Sequence, residues 1–193
     1  MDAMKIETPY ESIILMGKTG CGKGTQAKLL AETLGYRIFS TGDEIRRIGS
    51  ENTPFGRRVQ EIQVSGWVPE WLASYLMTKV LLENFAVSGL VFESVARKPE
   101  EAHKLHEIHA MLERPYIVVH LDISDEEATK RMQKRGRDAS DQAENIKKRL
   151  AAYHNETLVS LDFFKSEGKV RQIDADQSPE QVFEDIIRSL QNK

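Results

Sequence analysis

The segment at 17–26 points most directly to chemistry and reads Gly-Lys-Thr-Gly-Cys-Gly-Lys-Gly-Thr-Gln. Its glycines let the backbone curl so that successive N–H groups face a bound phosphate. Lys23 adds a positive charge where the outer phosphates of a nucleotide would lie. An apolar run at 13–16 precedes the segment, and a helical pattern from about 23 to 34 follows it and aims its positive end at the same anion. This order of strand, glycine-rich loop and helix predicts a phosphate-binding loop for a nucleotide.

One position of this loop departs from the usual pattern. Most such loops place Ser or Thr directly after the lysine, where the hydroxyl holds Mg²⁺. Here Gly24 occupies that position and Thr25 follows one residue later. The usual magnesium ligand is therefore missing from the loop.

Composition and charge narrow the class of protein. The chain has 193 residues and a formal net charge of −3 at pH 7, which fits a single domain and argues against a general nucleic-acid binder. One cysteine, Cys21, excludes an internal disulfide and a cysteine-rich zinc site and is typical of a reducing compartment. No apolar stretch reaches the roughly 18 residues of a membrane span, and the N-terminal residues lack a signal-peptide core. We therefore expect a cytoplasmic protein that binds neither nucleic acid nor membrane.

The elements that must position the loop alternate along the chain. Short runs rich in β-branched or aromatic residues are separated by helical patterns, which predicts an α/β fold with a five-stranded parallel sheet and helices on both faces. Ligands of such sheets bind beyond the carboxyl ends of the strands. The phosphate loop and the segments after 40, 93 and 122 fall at that edge, which predicts one active site. The five runs are 12–16, 36–40, 90–93, 116–121 and 170–173.

Two insertions interrupt this alternation. Between 41 and about 82 the pattern is helical, is broken by prolines and glycines and lacks strand signals, which predicts a small helical flap. Between 134 and 141 a short basic and acidic stretch separates two helical patterns.

Further motifs follow the loop in a fixed order. Together with the Gly-Lys-Gly-Thr-Gln form of the loop at 22–26, they resemble the adenylate kinase and nucleoside monophosphate (NMP) kinase family almost from end to end. The resemblance implies a P-loop NTPase-like fold in which 1–193 is a single kinase domain, 41–82 is the NMP-binding flap and 134–141 is a short lid. The motifs are Ser-Thr-Gly-Asp at 40–43 followed by Arg46, Gly-Trp-Val-Pro at 66–69, Asp-Ile-Ser-Asp-Glu-Glu at 122–127, and the segments 141–153 and 168–183.

The same resemblance implies an activity. The chain is expected to be a monomeric phosphotransferase that moves the γ-phosphoryl group of ATP, bound with Mg²⁺, to a nucleoside monophosphate, with AMP as the first choice. Phosphoryl transfer depends on positioning and on charge neutralisation, and guanidinium groups match phosphate oxygens in pairs. The catalytic cations implied are Lys23, Arg97, Arg131, Arg135, Arg137 and Arg149.

Two binding sites are implied as well. Arg46 and Arg97 are expected to hold the phosphate of the acceptor. The residues assigned to ATP are Gly20, Cys21, Gly22, Lys23, Gly24, Thr25, Arg131, Arg135 and Asp176. The residues assigned to the acceptor nucleotide are Thr41, Arg46, Trp67, Val68, Ser94, Arg97, Glu101 and Arg149.

The segment after the third strand departs from the family. Where the family has Asp-Gly-Phe-Pro-Arg, this chain has Glu-Ser-Val-Ala-Arg at 93–97, so that only the arginine matches. The family aspartate holds Mg²⁺ through water, and Glu93 keeps the charge one methylene further out, as a candidate magnesium ligand through water. The changed residues leave a second class of function open, a catalytically weak nucleotide-binding protein with a regulatory role.

Glu101 stands where adenine-selective members have Gln. A Gln amide can donate to adenine N1, whereas an ionised Glu only accepts. Guanine presents two adjacent donors and cytosine an amino group, so Glu101 leaves GMP or CMP open as the acceptor. The alternative is that Glu101 is an exposed charge in the run Pro-Glu-Glu-Ala at 99–102.

The lid is short, with five residues between Arg135 and Asp141 and no room for a long lid with its own metal site. Its sequence, Gly-Arg-Asp-Ala-Ser-Asp at 136–141, blurs the family pattern Gly-Arg-Val-Asp-Asp. Either Arg137 or no arginine falls on the catalytic lid position, and we assign Arg137.

Overall fold

The computed structural model describes residues 6–65, 68–85, 89–135 and 143–191, with the backbone alone for 63–65. It contains a five-stranded parallel sheet in the order β2-β3-β1-β4-β5. The predicted α/β class is confirmed, and each predicted run overlaps a strand whose ends differ from it by at most one residue. The strands are β1 (Ser12–Gly17), β2 (Arg37–Ser40), β3 (Leu90–Glu93), β4 (Tyr116–Asp122) and β5 (Val170–Asp174).

Helices cover both faces of the sheet. The helices are α1 (Lys23–Leu34), α2 (Thr41–Gly49), α3 (Pro54–Ser65), α4 (Glu70–Glu83), α5 (Pro99–Met111), α6 (Asp125–Arg135), α7 (Ala143–Ala152), α8 (Leu158–Ser166) and α9 (Pro179–Gln191), and a π-helical turn (Tyr153–Thr157) joins α7 to α8. Ile14 and its neighbours on one face pack against α2 to α5 and α8. Ile13 and its neighbours on the other face pack against α1, α6, α7 and α9. Strands buried on both sides explain why the runs in the sequence are nearly continuous in apolar residues.

The helices next to the sheet edge begin where local residues favour a start. Gly22 precedes α1 with a φ of 97°, and Gly35 ends it with a φ of 71°, so that glycine suits both positions. Ser40 caps α2, because its hydroxyl accepts a hydrogen bond from the Asp43 N–H at 3.4 Å. Pro99 begins α5, where its missing N–H costs nothing.

The register of the sheet brings the strand ends together. Glu93 at the end of β3 lies beside Leu15 of β1 and Ser40 of β2, and Asp122 at the end of β4 lies beside Asp174 of β5. The segments that follow these strands therefore share one edge.

The structure describes the two insertions to different extents. The flap range 41–82 contains α2, α3 and most of α4, and we find no strand in its described part. Residues 136–142 lie outside the described residues, and so does nearly all of the predicted lid. None of the helices described is long and apolar enough to cross a membrane.

Candidate active site

The phosphate loop between β1 and α1 needs its glycines for steric reasons. Gly17, Gly20 and Gly22 all have positive φ, at 144°, 91° and 97°. A Cβ on Gly17 would lie 2.4 Å from the carbonyl oxygen of Leu121, and one on Gly20 would lie 2.8 Å from that of Ala128. The loop is therefore packed against the end of β4 and against α6, and side chains at these two glycines would force it away.

Lys23 is held at the loop by carbonyl oxygens. Its Nζ donates to the backbone oxygens of Gly17 and Lys18, both at 2.8 Å, and lies 3.6 Å from the Sγ of Cys21. Cys21 is buried beneath the loop, whereas Thr25 in the first turn of α1 is exposed. The ammonium group is thus placed at the start of a helix with N–H groups that point outward, which is an arrangement that attracts a phosphate.

Glu93 lies against the loop at Gly24. A Cβ built on Gly24 would be 3.5 Å from both carboxylate oxygens of Glu93, so the carboxylate occupies the space beside the usual magnesium position. The described residues contain no group of three or more His, Cys, Asp or Glu that could hold a metal alone. Mg²⁺ commonly binds through one or two carboxylates, several waters and the phosphates of its nucleotide. One carboxylate beside a phosphate loop fits an ion that arrives with ATP.

The segment after β3 meets the loop in a small pocket. Ser94 and Ala96 have positive φ, 62° and 52°, which L-residues seldom adopt. This bend brings Ser94 and Arg97 to the pocket that also contains Lys23, and Arg97 remains exposed. The pocket is lined by Leu15, Met16, Gly17, Lys23, Ser94, Val95, Arg97 and Thr157.

Glu101 is buried, so the alternative that it is an exposed charge in the run at 99–102 is wrong. The residue is 8% exposed, and its Oε2 accepts a hydrogen bond from the backbone N–H of Arg97 at 3.0 Å. Burial raises the pKa of Glu101, and the N–H groups of Arg97 and Lys98 oppose that rise. The carboxylate reaches back from the third residue of α5 to the residues before the helix, as the Glu of a capping box does.

Arg131 and Asp176, both assigned to ATP, meet on the other side of the loop. The guanidinium of Arg131 donates to the carbonyl oxygen of Ala175 at 2.9 Å and pairs with Glu127 at 2.7 Å and with Asp176 at 3.4 Å. These contacts join α6 to the segment between β5 and α9. A larger cleft of about 510 Å³ opens beside them, and it is lined by Lys18, Asp122, Ile123, Ser124, Gln172, Asp174 and Asp176.

The remaining predicted residues are spread over the flap and the lid helices. Thr41 is the first residue of α2, and the exposed Arg46 on the same helix pairs with Asp43. Val68 packs against the core on the flap side of the sheet. Arg135 ends α6 and Arg149 is half-buried on α7. Trp67 and Arg137 lie outside the described residues.

Sequence reasoning missed Lys18. It used the glycines and the second lysine of the loop but gave the first lysine no role. In the structure Lys18 is 8% exposed and pairs with Asp125 at 2.8 Å. The available signal was a lysine next to a glycine at a strand end, where a long charged side chain needs a partner.

A parallel sheet with a phosphate loop after its central strand, and with cations on the neighbouring segments, defines a nucleotide-binding protein of the P-loop class. A family model described as "Adenylate kinase" matches residues 15–169. Similar proteins include the adenylate kinase of Maricaulis maris, 33% identical over 94% of this chain and 100% of that protein. Adenylate kinase 1 of Nostoc sp. is 36% identical over 92% of this chain and 97% of its own length, and the adenylate kinase of Leptospira biflexa is 34% identical over 92% and 98%. The chain belongs to the adenylate kinase family, as its motifs predicted, and is a nucleotide phosphotransferase.

Proposed function

We propose that this protein transfers the γ-phosphoryl group of ATP to AMP and forms two ADP. The observation that carries the proposal is the shared pocket of Lys23 and Arg97. One of these cations belongs to the phosphate loop and the other to the segment expected to hold the acceptor phosphate, and both line the same small cavity. With both nucleotides bound, two cations on neighbouring segments would neutralise the charge of the phosphoryl group in transfer.

The chain's own residues have separable tasks in this reaction. The N–H groups of the loop and Lys23 bind the phosphates of ATP and neutralise the charge on the group in transfer. Glu93 would hold, through water, the Mg²⁺ that accompanies ATP, and the ion would supply further neutralisation of phosphate charge. Arg97 holds the acceptor phosphate, and Arg135 and Arg149 add charge from the two helices next to the lid.

We propose AMP as the acceptor over GMP or CMP, because one oxygen of Glu101 is already bound to the backbone. Selection of guanine or cytosine by Glu101 would need a carboxylate that faces the base. The Oε2 of Glu101 instead accepts from the Arg97 N–H at the start of α5. The similar proteins that are named adenylate kinases support the same choice.

The flap and the lid remain predictions within this function. We propose that 41–82 closes over the acceptor, since water must be excluded or ATP would be hydrolysed. A mimic that joins two adenosines through five phosphates should then slow proteolysis within 41–82, and equal cleavage with and without the mimic contradicts closure. We expect a monomer from the size of the chain and its family, and a single free thiol suits the cytoplasm.

The test is a coupled assay of ADP formation with ATP, Mg²⁺ and one acceptor at a time. The acceptors are AMP, GMP, CMP, UMP and dTMP. We expect kcat/KM for AMP to exceed the others by about 10-fold or more. A higher value for GMP or CMP would overturn the choice of AMP.

A second candidate function rests on the strained bend at 94–96. Ser94 and Ala96, both with positive φ, replace residues of the family pattern next to Arg97. If that bend misplaces Arg97, the protein would bind ATP without turnover and act as a nucleotide sensor. ATP binding by calorimetry, combined with no ADP formation from any of the five acceptors, would favour this candidate.

A further inference from the structure

The side chain of Lys18 is buried next to the phosphate loop in a site of its own. Only 10% of the side chain is exposed, and its Nζ donates to the carbonyl oxygen of Ile123 at 2.5 Å. The Nζ also pairs with Asp125 Oδ1 at 2.8 Å and lies 5.6 Å from the centre of the Tyr153 ring. A buried ammonium group needs partners on several sides, and here they come from the end of β4, the start of α6 and the π-helical turn.

The backbone of Lys18 is part of the site that holds Lys23. The carbonyl oxygen of Lys18 accepts from Lys23 Nζ at 2.8 Å. The other carbonyl that holds Lys23 is that of Gly17, and glycines populate many backbone conformations. A glycine-rich loop loses much conformational entropy when it binds phosphate. A residue that is already anchored within the loop lowers this entropic cost of binding.

Asp125 links Lys18 to a further element, the π-helical turn. Its Oδ2 lies 2.9 Å from His154 Nε2, while its Oδ1 binds Lys18. The ammonium group of Lys18 is the largest cause of a lowered pKa at Asp125, so this carboxylate is ionised at neutral pH. One carboxylate thus connects the loop, the first turn of α6 and the π-helical turn.

We propose that Lys18 is a positioning residue for the donor nucleotide. Its side chain fixes the first half of the phosphate loop to Asp125. Its ammonium group acts through the loop backbone and does not touch the phosphates. The proposal rests on the function proposed above, because it assumes that the loop binds ATP. It assigns a share of the effect to Asp125, since the ion pair needs both partners. The share of Lys18 is larger, because its Nζ also donates to the carbonyl oxygen of Ile123.

A direct role makes a different prediction. If the ammonium of Lys18 left Asp125 to contact phosphate, removal of Asp125's charge would free it for ATP. Binding would then stay equal or tighten in an Asp125 variant. The two roles therefore differ in the sign of one measurement.

The experiment compares Lys18→Met, Asp125→Asn and the double variant of the full chain. Met keeps an unbranched stem in the buried site and removes the charge. Lys28 is an exposed lysine on α1, so Lys28→Met is the matched control. The Kd for ATP with Mg²⁺ is measured by calorimetry without acceptor, and KM for ATP and for AMP are measured by the coupled assay.

We expect Lys18→Met to weaken ATP binding about 10-fold, as the loss of a hydrogen bond from a charged group does. Asp125→Asn should weaken it by about 3- to 10-fold, because Lys18 then keeps its contact with the Ile123 carbonyl oxygen. The double variant should be no weaker than the worse single variant within about twofold, because both changes break one contact. KM for AMP should change by less than about twofold, and Lys28→Met should behave as the unmodified protein does.

Three results would overturn the proposal: unchanged ATP binding in Lys18→Met, unchanged or tighter binding in Asp125→Asn, or effects of the two single changes that multiply in the double variant. If Lys18→Met does not fold, Asp125→Asn decides alone, since the Asp125 side chain is 42% exposed. ATP binding is measured without acceptor, so a wrong choice of AMP would leave this test intact.

Discussion

The backbone N–H of Arg97 donates to the Oε2 of Glu101 at 3.0 Å, across the start of α5. The residue expected to read the acceptor base is therefore bound to the residue expected to hold the acceptor phosphate. A change at Glu101 can act on acceptor binding through the backbone of Arg97 as well as through the base.

Glu101→Gln should leave the choice of acceptor unchanged. The amide oxygen of Gln can still accept from the Arg97 N–H, so the start of α5 keeps its hydrogen bond. We expect the ratio of kcat/KM for AMP to that for GMP to stay within about twofold, because a lost base contact would change it by roughly 5-fold or more. Glu100→Gln, at the exposed neighbouring position, is the control. A larger shift in favour of AMP would mean that Glu101 also reaches the base.

The same substitution should change how stability depends on pH. Burial raises the folded-state pKa of Glu101, so the folded protein holds this proton more tightly than the unfolded chain does. The free energy of unfolding should therefore fall as pH rises from the ordinary Glu pKa through the raised value, and this loss should be absent from Glu101→Gln. As pH rises from 4 to 8, the melting temperature of the variant should increase relative to that of the unmodified protein. A difference that is constant with pH contradicts the buried carboxylate.

Some parts of this structure were predictable from the sequence and others were not. Strands such as β4 were predictable because a strand buried on both faces must be apolar throughout, and the glycine-rich loop was predictable because its backbone conformations demand glycine. The role of Glu101 was not, because the same charge in the first turn of a helix can face solvent, a ligand or the preceding backbone. Lys18 and Asp125 are far apart in sequence, and nothing local shows that the pairing of β1 with β4 brings them together.

Lys23→Ala should abolish most activity without unfolding the protein. The ammonium group of Lys23 is the loop cation expected to meet the phosphates, and loss of one donor to a transition-state oxygen costs about 100- to 1,000-fold in kcat. Lys23 makes its hydrogen bonds within the loop, so the melting temperature should fall by no more than about 4 °C. Lys28→Ala on the same helix serves as the control. Unchanged turnover in Lys23→Ala would show that this loop is not the donor site.

Glu93→Gln should raise the Mg²⁺ concentration that the reaction requires. Both carboxylate oxygens of Glu93 face the Gly24 side of the loop, and an amide offers one acceptor without charge. We expect the Mg²⁺ concentration for half-maximal activity to rise about 10-fold, and the Mg²⁺-dependent gain in ATP affinity, measured by calorimetry, to shrink in parallel. Glu93→Asp keeps the charge and should stay within about 3-fold of the unmodified protein. Equal magnesium dependence in Glu93→Gln would remove this residue from the metal site.

Ser94→Gly should stabilise the protein by relieving backbone strain. Ser94 has a φ of 62°, a left-handed conformation that costs an L-residue roughly 1–2 kcal/mol and glycine almost nothing. The greater freedom of glycine in the unfolded chain offsets about 0.4–1 kcal/mol of that gain. A net gain of about 0.5–1 kcal/mol should raise the melting temperature by roughly 1–4 °C. Ser94→Ala is the matched control, because alanine keeps the Cβ that causes the strain and should give no increase. If the glycine and alanine variants melt at the same temperature, the bend before Arg97 stores no strain at this residue.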